Sequence, residues 1–195
     1  MRLKLVQVGE EVLRRRASEL TAEEIRSRDI QQLITFMRET LRDAPGVGLA
    51  APQVGFGIQL ALIEDLQEYS KAMTAEQIAE RERVPVPFHV IINPKLTPLD
   101  DEQVEFFEGC LSVNGYTALV PRFRRVRVEC LDEHAQPRTI DAWGWYARIL
   151  QHEIDHLNGT VYVDRMFPRT LMTIENFTWK WKDTGIAELK SRLLV

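Results

Sequence analysis

Cysteine is nearly absent. The 195 residues contain two, Cys110 and Cys130, in no disulfide-rich spacing. That excludes a small cross-linked scaffold and suits a reducing compartment. Long apolar runs are missing as well. No stretch reaches the ~18 residues that a membrane helix needs, so no membrane partner is expected. There is no basic excess either. The 25 Lys and Arg face 29 Asp and Glu, for a formal charge of −4. That balance argues against direct nucleic-acid specificity. No internal repeat or low-complexity tract is present. The opening residues, Met1 to Lys4 followed by Glu10 and Glu11, lack an apolar signal core and are too acidic for a transit peptide. A cytoplasmic protein is the expectation, with a mature organellar form starting at an added Met as the alternative. A single domain over residues 1–195 is long enough to bury a full core without staples.

Histidine is also scarce, with four in the chain, yet two stand close together in Gln151-His152-Glu153-Ile154-Asp155-His156-Leu157. On an α-helix a spacing of four puts both imidazoles on one face, one turn apart, where they can share a metal ion. Glu153 lies about 100° further round, since the helix has ~3.6 residues per turn. It can reach a water on that metal without being a ligand. The pattern points to metal-assisted hydrolysis. The preceding run from Trp145 to Leu150 is apolar except for Arg148, so the helix is expected to be buried. Two buried imidazoles side by side need a partner, and a metal is an economical one. The bland alternative is a solvated helix carrying two His by chance.

Two ligands do not complete a catalytic site, which usually has three protein ligands plus water. The third could be a downstream carboxylate or a thiolate. Cys130 sits in the alternation Val126, Val128, Cys130, which reads as one face of a half-buried strand. A small core residue is the reading there. Cys110 differs, because it follows Gly109 in Glu108-Gly109-Cys110-Leu111-Ser112, where the backbone can approach something closely. A third unusual segment, Pro45 to Gly55, is rich in Gly and Ala, and Gln53 is its only side chain with a polar hydrogen-bonding group. It is either a turn between helix and strand or a wall presenting backbone groups and one amide to a ligand. Its glycine spacing does not fit a phosphate loop.

The expected fold class is α+β: antiparallel β-strands packed around a central α-helix that carries the His-Glu-x-x-His motif. A helix is expected over Asp29–Arg42, with Ile30, Leu33, Ile34, Met37 and Leu41 on one stripe. Strands are expected at Gln59–Glu64, Phe88–Asn93, Val104–Phe107, Leu119–Leu131 and Thr160–Val163. The ligand helix is expected over Trp145–Leu157, ended by Asn158-Gly159.

The three segments together resemble peptide deformylase. Gly46-Val47-Gly48-Leu49-Ala50-Ala51-Pro52-Gln53, Glu108-Gly109-Cys110-Leu111-Ser112 and Gln151-His152-Glu153-Ile154-Asp155-His156-Leu157 match the three motifs of that family, in order and separation. The resemblance implies removal of the formyl group from the N-terminal formyl-methionine of nascent polypeptides, releasing formate. It implies one divalent metal per chain, held by Cys110, His152 and His156. Fe2+ is the metal expected in the cell, with Ni2+, Co2+ or Zn2+ able to substitute. A water on the metal would attack the formyl carbon, with Glu153 as general base and then acid. The Leu111 backbone N–H and the Gln53 amide would donate to the developing oxyanion. Val47, Gly48, Phe106, Trp145, Ile149 and the His152 ring are the candidates for the methionine slot. For Phe106 and Trp145, plain core packing is the alternative. Glu108, Arg122 and Asp155 are expected to form an ion network orienting the ligand helix against the Cys loop.

Some positions depart from the commonest bacterial pattern. Many bacterial members have a proline near Asn114 and an arginine near Thr117 that helps hold the substrate backbone; Thr117 cannot supply a charge, so contacts to the second and third substrate residues are open. The acidic insertion from Asp65 to Arg83, Gly144-Trp145 and Pro168-Arg169-Thr170 resemble the subclass of mitochondria and some bacteria. Residues 185–195 carry Lys190 and Arg192 amid apolar residues. In some relatives a C-terminal helix touches the ribosome near the exit tunnel; here that partner is a hypothesis beside a plain surface helix. Two rival functions remain: a zinc-type endopeptidase, for which Cys110 would be spare, and a non-catalytic structural metal domain, which would need His134 or Cys130 as a fourth ligand.

Overall fold

A computed structural model describes residues 2–44 and 46–194. Pro45, part of the Gly-rich segment, lies outside the described residues, as do the two chain ends, residues 1 and 195.

The helical stripe read from the sequence forms as expected. A short helix α1 (Ala22–Arg26) leads into α2 (Arg28–Asp43), which starts where the Ser27 side chain accepts from the Ile30 N–H. Leu33, Ile34, Met37 and Leu41 are buried on its inner face. They pack against Leu49, Leu60, Leu62, Val90 and Ile92 from the strands that follow.

Those strands are β1 (Gly48–Ala50), β2 (Leu60–Asp65), β3 (Val86–Pro98), β6 (Arg125–Leu131) and β7 (Pro137–Trp143). They form an antiparallel sheet in the order β1-β2-β3-β6-β7. A second antiparallel sheet joins β4 (Gln103–Cys110), β5 (Val113–Phe123) and β8 (Met172–Thr173) in the order β4-β5-β8. Between β2 and β3 the acidic insertion folds into a 3-10 turn and a helix, α3 (Ala75–Glu80). The helix α4 (Gly144–Leu157) touches strands of both sheets and carries the His pair. The chain closes with α5 (Ile174–Lys180) and α6 (Ile186–Leu193).

Several boundaries differ from the sequence reading. The expected strand Leu119–Leu131 is two strands. The chain breaks at Arg124, whose guanidinium pairs with Glu82 and Glu102, and β5 and β6 then enter different sheets. The expected strand Thr160–Val163 does not form. Asp164 accepts from the Val161 N–H at 2.9 Å and closes a 3-10 turn over Tyr162–Asp164 instead. Strands β1, β7 and β8 were not expected. β7 is an edge strand that buries only Ile140 and Ala142, so its apolar signal is thin.

α4 begins abruptly after β7 because Gly144 adopts φ +58°, a left-handed conformation that glycine tolerates. A Cβ there would also lie 2.6 Å from the Glu82 Cβ. The insertion thus docks directly on the start of the ligand helix, and the Trp145 N–H donates to the Arg81 carbonyl at 2.9 Å.

Candidate active site

Two local structures deliver the three candidate ligands to one place. α4 supplies His152 and His156, whose rings stand 5.1 Å apart. The tight turn between β4 and β5 supplies Cys110. A register shift between Gly109 and Cys110 bends that strand end, a common means of re-aiming a side chain. The donor atoms of Cys110, His152 and His156 all lie within 4.8 Å of one another. Cys110 Sγ is 3.2 Å from His156 Nε2. Neither rival fourth ligand joins them. Cys130 is buried in the core on β6, where burial pushes its thiol up to about 11. His134 lies in the turn between β6 and β7, with its N–H on the Asp132 carboxylate.

The Gly-rich segment presses on the same centre. β1 runs beside α4, and a Cβ on Gly48 would fall 2.3 Å from Glu153 Oε1. The glycine therefore makes room for the Glu153 carboxyl itself. Glu153 is buried, and its Oε2 has no partner among the described residues. Burial raises its carboxyl to about 7, against the lowering pull of His152 and with a smaller push from the Glu108 charge. Gln53 follows on a 3-10 turn that starts at Ala51. Its Oε1 accepts from the Ala50 N–H at 2.9 Å, and its Nε2 lies 3.5 Å from Cys110 Sγ and 3.4 Å from Ser112 Oγ. The Leu111 carbonyl accepts from Gln7 Nε2 at 2.9 Å, so the N-terminal segment braces the Cys turn.

Beneath the His pair lies a buried ion network. Arg122 donates twice to Glu108, at 3.0 Å each, and also to Asp155. Glu108 Oε2 accepts from His152 Nδ1 at 2.9 Å, which leaves His152 Nε2 facing the cluster. Burial alone would raise the Glu108 carboxyl, but Arg122 and His152 outweigh it and hold it well below the usual carboxylate range. Asp155 also accepts two bonds from Arg165, at 2.6 and 2.7 Å. Replacing Arg122 by Met would remove the cation that Glu108 and Asp155 share, leaving only Arg148 on the first and Arg165 on the second. Breaking a buried pair this way typically costs about 3–5 kcal/mol, and urea unfolding should show a loss of that order.

Among the slot candidates, Val47, Trp145 and Ile149 share one apolar cluster. The Phe106 ring meets Trp145 edge-on at 6.2 Å. Trp145, Ile149, His152 and His156 follow helical spacing along one face of α4. Thr117 does not face the cluster as a free group: its hydroxyl donates to the Glu108 carbonyl at 2.8 Å. On the far side of α4 a cleft of about 580 Å³ is lined by Lys95, Gln151, Ile154, Asn158 and Arg165. None of the candidate ligands borders it.

Sequence reasoning passed over four residues. Arg148 and Tyr162 flank His152, Gln7 braces the turn, and Arg165 holds Asp155. Arg148 did leave a signal, as the lone charge in an apolar run four residues before His152. Tyr162 is buried, with its ring stacked on His152 at 6.3 Å, a contact no local pattern announces.

A thiol and two imidazoles converging beside a buried carboxyl is the arrangement that metal-assisted hydrolases use. The chain belongs to the polypeptide deformylase family, whose profile matches residues 2–171. It is 46% identical to peptide deformylase 1A, chloroplastic, of Solanum lycopersicum over 172 residues, 88% of this chain. It spans 62% of that plant protein, less than two thirds of its length. It is 43% identical to peptide deformylase 3 of Streptomyces avermitilis over 180 residues, 92% of this chain and 78% of the relative. The fold superposes with a TM-score of 0.75 on a class I type b peptide deformylase from Acinetobacter baumannii bound to Met-Ala-Ser, at 29% identity, covering 85% of this chain and 99% of the other.

Proposed function

We propose that this chain is a metal-dependent hydrolase that removes the formyl group from the N-terminal formyl-methionine of nascent polypeptides and releases formate. The observation that carries this reading is the Cys110–His152–His156 cluster, with donor atoms within 4.8 Å, set beside the buried Glu153 carboxyl. One thiolate and two neutral imidazoles form a donor set for a first-row divalent metal and match the iron or zinc expected from the family. Fe2+ in the cell, with Ni2+, Co2+ or Zn2+ as substitutes, remains the reading from the resemblance. A divalent metal bound there would lower the pKa of a water from about 16 to near 7.

The chain's own groups account for the other steps. Glu153, buried beside the cluster with one carboxyl oxygen unpartnered, can take a proton from the attacking water and pass it to the leaving amine nitrogen. The Gln53 amide and the Leu111 N–H would donate to the formyl oxygen as it gains charge. Gln53 is held for that task by its bond to Ala50. Glu108 keeps His152 in one tautomer, and Arg122 and Asp155 hold Glu108 against the helix. Val47, Gly48, Phe106, Trp145 and Ile149 are assigned to the methionine side. Both sheets share α4, which supports reading residues 1–195 as one catalytic domain.

For location we keep the cytoplasm, with a mature organellar form as the alternative; the relatives include bacterial and chloroplast proteins. The ribosome as partner rests on the resemblance alone. Lys190 of the basic C-terminal patch is already paired with Glu105.

A formyl carbon carries only a hydrogen, and Glu153 crowds the Gly48 backbone. The test is a comparison of formyl-Met-Ala-Ser with acetyl-Met-Ala-Ser. The account expects hydrolysis of the formyl peptide and little of the acetyl one. Equal rates, or cleavage within the peptide, would favour the endopeptidase.

A further inference from the structure

Arg148 is the one charge in the apolar run that leads into the metal motif, and the fold buries it to 2% exposure. It stands four residues before His152, on the same side of α4. Its Nη1 donates to Glu108 Oε1 at 2.6 Å and to the Val120 carbonyl at 2.9 Å. Its Nη2 donates to the Val104 carbonyl at 2.6 Å. The same guanidinium lies 5.3 Å from the Phe106 ring centre and 6.0 Å from that of Trp145. Glu108 in turn holds His152 through its other oxygen. A continuous chain of contacts therefore runs from the aromatic pair through Arg148 and Glu108 to His152.

Neutralising Glu108 does not require this cation, because Arg122 already donates to both carboxylate oxygens. Removing it would still take one partner from a buried ion network, so some loss of stability is expected and folding has to be read separately from ligand geometry. What Arg148 adds is direction. Arg122 reaches Glu108 from β5 and links it to α4 only through Asp155, whereas Arg148 adds a direct tie from α4 one turn before His152.

We propose that Arg148 is a positioning residue: it ties Glu108 to α4, sets the orientation of His152, and makes the Phe106–Trp145 wall part of the same unit. The proposal rests on the deformylase reading above. It predicts that the substrate wall and the ligand geometry respond together when Arg148 is changed.

The test uses the full chain, stripped of metal and reloaded with Co2+, as wild type, Arg148→Met and Arg148→Lys. Three quantities are read: the cobalt d–d absorption, the rate of cobalt loss to a chelator, and kcat and KM separately for formyl-Met-Ala-Ser. Folding is checked by thermal melting. Arg148→Met should melt cooperatively, shift the d–d bands and lose cobalt ~10–100-fold faster, the usual cost of removing a group that orients a ligand. Its kcat should fall more than its KM rises. Arg148→Lys keeps a cation for Glu108 but cannot span both carbonyls, and should fall between Met and wild type. A folded Arg148→Met with the wild-type spectrum and release rate overturns the proposal. If that variant does not fold, the same wild-type behaviour in Arg148→Lys overturns it. Failure of the wild type to take up one cobalt per chain is a different result and sinks the deformylase reading as well.

Discussion

Replacing Glu153 by Gln should leave one metal per chain bound and lower kcat for formate release by about 10²–10⁴-fold, the usual share of a positioned general acid–base. The amide matches the carboxyl in size, so it fits the space that Gly48 leaves open. No metal ligand is lost. What disappears is a group that can accept a proton and give it back. Activity assays and metal analysis on the same sample make the check. A variant that keeps more than a tenth of wild-type kcat would remove Glu153 from the reaction. A variant that loses its metal would make Glu153 a holder of the site and not its base.

Cys110→Ser should have the opposite signature. The protein should fold, because Cys110 sits partly exposed at a hairpin end and packs only at the edge of the small cluster of Val113, Ala118, Val120 and Tyr162. The metal should be lost to a chelator by more than the ~10–100-fold that removal of an orienting group costs. A neutral hydroxyl replaces the thiolate 3.2 Å from His156 Nε2, and the centre loses its only soft, anionic donor. Formate release should fall in step with bound metal. Metal retention and activity near wild type would mean that Cys110 is spare, as the endopeptidase rival requires. The two variants therefore separate holding the metal from moving the proton.

Much of this was legible in the chain before the fold, and the reason is local. Helical periodicity is a property of neighbouring residues, so the stripe of Leu33, Ile34, Met37 and Leu41 and the His152–His156 pair could be read directly. The buried alternation Val126, Val128, Cys130 was equally plain. Ion partners were partly readable. Glu108 and Asp155, two carboxylates beside candidate ligands, called for a cation, and Arg122 stands between them. The misses arise where tertiary contacts decide. β7 has few inward residues to signal it. Val161, Tyr162 and Val163 suit a strand by residue type, yet Asp164 closes a local turn over them first. Arg148 was visible as an oddity, but its meaning depends on β4 and β5 bringing Glu108, Val104 and Val120 around it. The motif places Gly48 on the substrate side, while its tightest neighbour in the fold is the Glu153 carboxyl.

The most direct test is formate release from formyl-Met-Ala-Ser by metal-stripped protein, reloaded stepwise with Fe2+ under anaerobic conditions and separately with Ni2+. The account predicts no turnover without metal and a linear rise that levels at one metal per chain. One tightly bound metal per chain with no formate released would contradict it.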